Sequence, residues 1–453
     1  MSRLVVVFVL SLFLITPYVR GDGNGYYAYV RSVILDGDLN FENEYARADP
    51  KFRENLFKRR ITPRGYLDNP WAPGSAVLWA PFFLAGHAIA TAGNALGLAV
   101  PLDGFSPPYR WAVAVGTATF AFAGLLLGYR LARGWVAPPV ALAAVVGIWV
   151  ASSLPVYMYF LPMLAEPNAS FVVALLLYVW HRTRGGRRPW QWAALGLLAG
   201  FSAAVKYETI VFAAVPALAL VRARQQGDPA ARPGWRGAAL VALGFGVGLV
   251  PQVVIKTILY GRPWAFGYEE PFWVIFLSPR PVELLFSSLH GMFTWTPILL
   301  AATLGLFRLF RRDRELAIVV GVPWLLLFYL ASCWQSLGVG GSSFGNRPFV
   351  SATPVFVLGL ALALDWAAQR CRLRWIGVAV AALGVWNVLF IVQFGLGLIP
   401  RGDYFPWSRM VLNQFRVPVI ALQYGPLFFT NRDAFIRAVQ ALEHEQRLQG
   451  VQY

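Results

Sequence analysis

Apolar runs closed by arginine recur along the whole 453-residue chain. About twenty apolar residues make an α-helix long enough to cross a hydrocarbon core of about 30 Å. Lipid offers no hydrogen bonds to the backbone, so only helices and closed barrels can span it. A barrel would show short segments of alternating polarity, and none is read here. The fold class expected is therefore an all-α polytopic membrane protein. Composition agrees: 57% of residues are hydrophobic, 13% are charged and the mean hydropathy is +0.54, against about 25% charged in a soluble chain.

About eleven spans are expected from segment length, with the N-terminus in the cytoplasm. They fall at 4–20, 110–129, 137–155, 167–181, 190–205, 208–221, 237–258, 291–307, 316–333, 348–366 and 375–397. Residues 71–98 are apolar but interrupted by Pro73, Pro81 and His87. They read as a juxtamembrane or re-entrant helix within a long outer segment, 21–109. One transmembrane module, 1–397, then carries a tail, 398–453, on the outer face. The tail holds a short amphipathic helix over 431–446, which Asn431 could cap. The start could be a signal peptide, but Tyr18 and Arg20 spoil a small-residue cleavage site, so an uncleaved first helix is expected.

Charge tests this layout. The net charge is +17, and nearly all cations are arginine. Seventeen of them fall in five short loops placed inside, from Arg130 to Arg374. That is the positive-inside pattern and not the basic patch of a nucleic-acid binder. Cys333 and Cys371 fall on opposite sides in this layout, which excludes a disulfide between them.

The polar groups left at the outer helix ends are Asp22, Glu166, Lys206, Glu208, Lys256, Glu269, Glu270, His290 and Arg347. Charges near a membrane interior are costly, so their convergence implies a polar cavity. Each has a plain alternative. Asp22 could cap the helix that follows it, or act as a general base. Glu166 could serve the first turn of its helix, or be a second active-site carboxylate. Lys206 could pair with Glu208, or bind phosphate. Arg347 follows Gly338, Gly340, Gly341 and Gly345 and opens a helix, which suits an anion; its alternative is reaching lipid headgroups. The oxygen-bearing run Asp36 to Glu44 lacks the glycine and final glutamate of a calcium loop. It reads as a solvated turn, with a divalent-metal site as the other option.

GDGNGYYAYVRSVILDGDLNFENEY (21–45), the Pro/Gly start of 71–98, HGMFTWTP (290–297) and GGSSFGNRPF (340–349) together resemble the GT-C superfamily of integral-membrane glycosyltransferases. Within it the chain is similar to bacterial relatives of protein O-mannosyltransferases and aminoarabinose transferases. The resemblance implies sugar transfer from a polyprenyl-phosphate carrier to a lipid, glycan or protein hydroxyl. The reaction would take place on the outer face of the bacterial cytoplasmic membrane, by a single inverting displacement. It makes Asp22 the base and Glu166 the second carboxylate, with Lys206 and Arg347 on the carrier phosphate. Tyr26, Tyr27, Glu269, His290, Ser343 and Asn346 are the candidate substrate contacts. No cofactor is required beyond the metal option. The chain departs from the family pattern in one place: Gly23, and not a second acid, follows Asp22.

Three rivals stay in view. A lipid-glycan flippase would show inverted repeats and broken helices in both halves, and no repeat is seen. A glycan polymerase or ligase would use a pyrophosphate-linked donor. A scaffold would be indifferent to Asp22→Asn.

Overall fold

A computed structural model describes residues 2–48, 52, 60–225, 234–265, 276–335, 343–400 and 404–450. Among the described residues the regular structure is helical, with one isolated bridge, Ile61 to Leu67. The main helices are α1 (Ser2–Ser11), α2 (Gly23–Arg31), α3 (Gly74–Ala95), α4 (Pro107–Ala132), α5 (Pro138–Ala151), α6 (Glu166–Thr183), α7 (Pro189–Val205) and α8 (Ala214–Gln225). They continue as α9 (Gly234–Gly248), α10 (Val250–Tyr260), α11 (Ile298–Leu306), α12 (Arg314–Gln335), α13 (Thr353–Ala368), α14 (Leu373–Gly395), α15 (Trp407–Thr430) and α16 (Arg432–Gly450). Five helices are long and apolar enough to cross a membrane, and α9 with α10, bent by 51°, makes a sixth if counted as one span. α1 and α5 are apolar but shorter.

Several boundaries differ from the sequence expectation. α1 stops at Ser11, followed by a single turn over Leu12–Leu14. Beyond it the Thr16 amide and hydroxyl donate to the carbonyls of Tyr159 and Phe160, both at 2.8 Å. Pro17, which forbids continued helix, follows at once. The segment 74–95 is one continuous helix across Pro81, 22 residues long, with the hydropathy of a span. A proline near the first turns removes one bond without breaking the rod when neighbouring helices support it. The tail forms two helices, α15 and α16, where one short one was expected. Cys333 and Cys371 form no disulfide with each other, and the Cys333 thiol donates to the Phe276 carbonyl at 3.7 Å.

Small residues set the closest crossings. In α7 and α9 the sequences GLLAG (196–200) and GFGVG (244–248) face each other. A Cβ on Gly196 or Gly200 would stand 2.1 Å from the carbonyl oxygen of Val241 or Phe245. Without side chains the two backbones touch, which is how dispersion holds helices together in lipid. Gly305 of α11 meets Gly359 of α13 in the same way. α13 and its lead-in turn are the centre of the bundle: 83% of that span is buried inside the protein, against 28% for α14.

The two ends of the bundle are chemically distinct. Arg184 pairs with Asp313, and Arg312 with Asp365 at 2.6 Å, while its second nitrogen donates to the Trp135 carbonyl at 2.9 Å. α6 runs from Glu166 to Thr183, so these pairs lie roughly 27 Å from Glu166 at 1.5 Å per residue. The loops around 135, 184, 312 and 365 therefore share one end, while residues 226–233 of the fifth arginine loop lie outside the described residues.

Candidate active site

The turn Arg20–Asp22 enters α2 with Gly21 at φ +53°, a conformation that glycine adopts without strain. Gly23 and Gly25 then press the helix onto its neighbours. A Cβ at Gly23 would stand 3.0 Å from the Met163 side chain and 3.2 Å from its carbonyl. One at Gly25 would stand 2.0 Å from the Trp71 ring. Gly23 brings the start of α2 against the segment that leads into α6, and Gly25 brings it against the segment that leads into α3. Asp22 occupies the N-cap position, yet its side chain makes no capping bond. Its carbonyl accepts from Gly25 and Tyr26, and its carboxylate turns elsewhere.

It turns to Arg347. Arg347 Nη1 donates to Asp22 Oδ2 at 2.6 Å, and Arg347 Nε donates to Glu166 Oε1. Lys206 Nζ lies 2.9 Å from the same Glu166 oxygen and 3.0 Å from Glu208 Oε1. The result is a chain of alternating sign: Asp22, Arg347, Glu166, Lys206, Glu208. Four separate parts of the fold supply it. Asp22 precedes α2 and Glu166 opens α6. Lys206 ends α7, with Glu208 in the turn beyond, and Arg347 begins the turn that leads into α13. Side-chain exposure falls from 41% at Asp22 to 20% at Arg347 and 0% at Glu166, then rises to 23% at Glu208. Asp22 is thus the carboxylate most open to an incoming molecule. Glu166 is the buried anchor that holds two cations; its second oxygen, Oε2, is buried without a hydrogen-bond partner.

Two tyrosines complete the surroundings. Tyr26, one helical turn beyond Asp22, is buried and lies within the fields of Lys206, Glu166, Arg347 and Asp22. Burial pushes its phenol above the ordinary value. Tyr157 was not singled out by sequence, since nothing in the run VYMYF marks it. Its hydroxyl accepts from the Phe344 amide and donates to the Phe344 carbonyl, both at 3.1 Å. It therefore anchors the backbone that presents Arg347.

The other sequence candidates separate. Tyr27 faces away: its hydroxyl donates to the Gly104 carbonyl and its ring packs on Phe83 and Phe105. His290 is buried with φ +71°, and its carbonyl accepts from Asn346 Nδ2 at 3.3 Å. It touches the site through Asn346, the residue before Arg347. Ser343 is buried in the same segment. Glu269, Glu270 and Gly338 to Gly341 lie outside the described residues.

Lys256 belongs to a second polar network. It is wholly buried in α10; Nζ donates to the Asn69 carbonyl at 2.6 Å and to Tyr29 Oη at 3.4 Å, and Tyr260 donates to Asp68 beside it. The acidic run 36–44 is knitted by its own side chains. Arg31 bonds Asp36 and Glu44, the latter at 2.8 Å, and Ser32 Oγ donates to Asp38 Oδ1 at 2.8 Å. Burial pushes the Glu44 carboxyl above its ordinary range, with Arg31 opposing the shift. Among the described residues no three His, Cys, Asp or Glu side chains converge as a metal site.

The site is thus a carboxylate–guanidinium chain at one end of a bundle of apolar helices. No protein-family model matches the sequence, and no curated protein matches it. Solved structures do. The crystal structure of ArnT from Cupriavidus metallidurans in the apo state, a GT-C glycosyltransferase, matches with a TM-score of 0.51 at 16% identity, over 99% of this chain and 75% of that one. The crystal structure of the same protein bound to undecaprenyl phosphate matches at 0.49 and 15% identity, over 99% and 74%. The chain is a multi-pass helical membrane protein with an ArnT-like fold.

Proposed function

We propose that the protein is a glycosyltransferase that moves a sugar from a polyprenyl-phosphate carrier to an acceptor hydroxyl, with inversion. One observation carries the reading: Asp22, the exposed carboxylate of the site, is bonded to the Arg347 guanidinium at one end of the bundle. A hydroxyl attacking an anomeric carbon needs a base to take its proton. The leaving phosphate needs positive charge. Asp22 supplies the first, and Arg347 with Lys206 the second. The acceptor oxygen bonds to the anomeric carbon as the bond from that carbon to the phosphate oxygen breaks. The electron pair leaves on the phosphate, and the proton goes to Asp22. The GT-C resemblance and the ArnT-like fold favour a lipid-linked donor over a soluble one.

The arginine-rich loops favour a bacterial cytoplasmic membrane with the site facing outward. Glu166 sits too deep to meet substrate directly and serves to hold the two cations in place. Tyr26 lies within the fields of Lys206, Glu166, Arg347 and Asp22 and is assigned to contact the donor.

The test supplies purified protein in detergent with sugar-loaded polyprenyl monophosphate or diphosphate and measures released sugar. Turnover of the monophosphate that Asp22→Asn abolishes supports the proposal. Use of the diphosphate alone would make the protein a polymerase or ligase. No turnover of either would sink the reading and leave the flippase in its place.

A further inference from the structure

The charge chain counts three carboxylates, Asp22, Glu166 and Glu208, against two cations, Arg347 and Lys206. A lipid phosphate arriving at Arg347 therefore meets a net negative site, and displacing a carboxylate relieves the repulsion. The geometry selects which one. Glu166 is fully enclosed and holds both cations at once. Glu208 is on Lys206. Asp22 is the most exposed of the three and, among the described residues, touches a single cation, through one oxygen.

We infer that lipid phosphate displaces Asp22 from Arg347, so that donor binding itself unmasks the base. This rests on the proposed phosphate role of Arg347. In the free protein Oδ2 of Asp22 is occupied by a charged hydrogen bond from Arg347 and is not open to an acceptor hydroxyl. When phosphate oxygens take over the guanidinium, Oδ2 of Asp22 is freed to accept the proton of the hydroxyl beside the anomeric carbon. The binding order follows: the donor enters first, and the acceptor hydroxyl is activated only afterwards. Activation of water at an empty site is avoided by the same exchange. Arg347 keeps its bond to Glu166 throughout, so the guanidinium stays fixed while its outer partner changes.

The exchange predicts an unusual outcome for a catalytic substitution. Asp22→Asn removes the competing carboxylate and should bind lipid phosphate more tightly than the wild type while losing transfer. The probe is a long-chain polyprenyl monophosphate without sugar, titrated into the full-length protein in detergent by calorimetry. Replacing a charge-assisted contact with a neutral one should tighten binding by about tenfold. The gain should persist at high salt, which screens charges that are not in contact. Equal or weaker binding by Asp22→Asn overturns the exchange, and so does a gain that vanishes with salt. A different result marks failure of the underlying reading: wild-type protein that does not bind the probe, or binding unaffected by Arg347→Lys. Arg347→Lys keeps the charge that Glu166 needs and removes the fork, so the variant remains folded for this comparison.

Discussion

Asp22 and Arg347 are 325 residues apart in the chain and are joined at 2.6 Å between Oδ2 and Nη1. Through this bond the turn before α2 is tied to the start of the most buried candidate span among the described residues. The bond lies on the exposed side of the site, and the partner bond from Arg347 to Glu166 lies on the closed side.

Asp22→Asn should reduce transfer by about 10²–10⁴-fold, the usual contribution of a general base. Thermal stability should change little, because the side chain is two-fifths exposed and caps nothing. Turnover and melting temperature, measured on the same preparation, check both halves; a large drop in melting temperature would make Asp22 a structural group.

Glu166→Ala should be the costly substitution. It removes the closed-side anion that both cations share, leaving Arg347 with Asp22 and Lys206 with Glu208, and breaking a buried pair by removing one partner costs about 3–5 kcal/mol. The expected sign is a melting temperature far below that of Asp22→Asn, with poor yield from the membrane. Equal stability of the two variants would contradict the anchoring role of Glu166.

Gly74→Ala tests how finely Lys206 is placed. A Cβ at Gly74 would lie 2.5 Å from the carbonyl carbon and oxygen of Ala204, two residues before Lys206. Overpacking of this kind costs about 1–3 kcal/mol, and here it pushes on the end of α7. Donor KM should rise more than kcat falls. An unchanged KM would show that α7 yields without moving its lysine.

Arg31→Met separates the acidic run from the catalytic chain. It leaves Glu44 buried without its cation, so stability at neutral pH should fall by about 3–5 kcal/mol. Burial already holds the Glu44 carboxyl above its ordinary value, and losing Arg31 raises it further. The fold then binds a proton that the unfolded chain releases, so the variant should regain stability as pH falls toward the acidic range. Melting temperature followed against pH reads this; a variant that weakens further in acid would refute the assignment.

The sequence made some of this site legible and hid the rest. Asp22, Glu166, Lys206 and Arg347 stood out because charges beside apolar runs are expensive and few. Their pairing was hidden, since no local spacing connects residues so far apart along the chain. The capping alternative for Asp22 depended on one side-chain torsion, which residue type does not determine. Tyr27 and Tyr26 are adjacent letters, yet helical geometry sends them to different faces, one to Gly104 and one to the charges. The close crossing of α7 and α9 had a signal in its paired GxxxG runs. The helical path of 74–95 did not, because its prolines argue for a break that packing overrides.

The order in which the charged groups leave the ribosome has a consequence for biogenesis. Glu166 enters the bilayer before Lys206, and Arg347 follows after twelve of the sixteen main helices have been made. Until then the carboxylate at the head of α6 lacks its second cation and Asp22 has no partner. The bundle can close only when α13 arrives, so release from the insertion machinery and completion of the active site are the same event. A chain truncated before α13 should be handled by the cell as an unfinished protein and degraded, whatever the quality of its earlier helices.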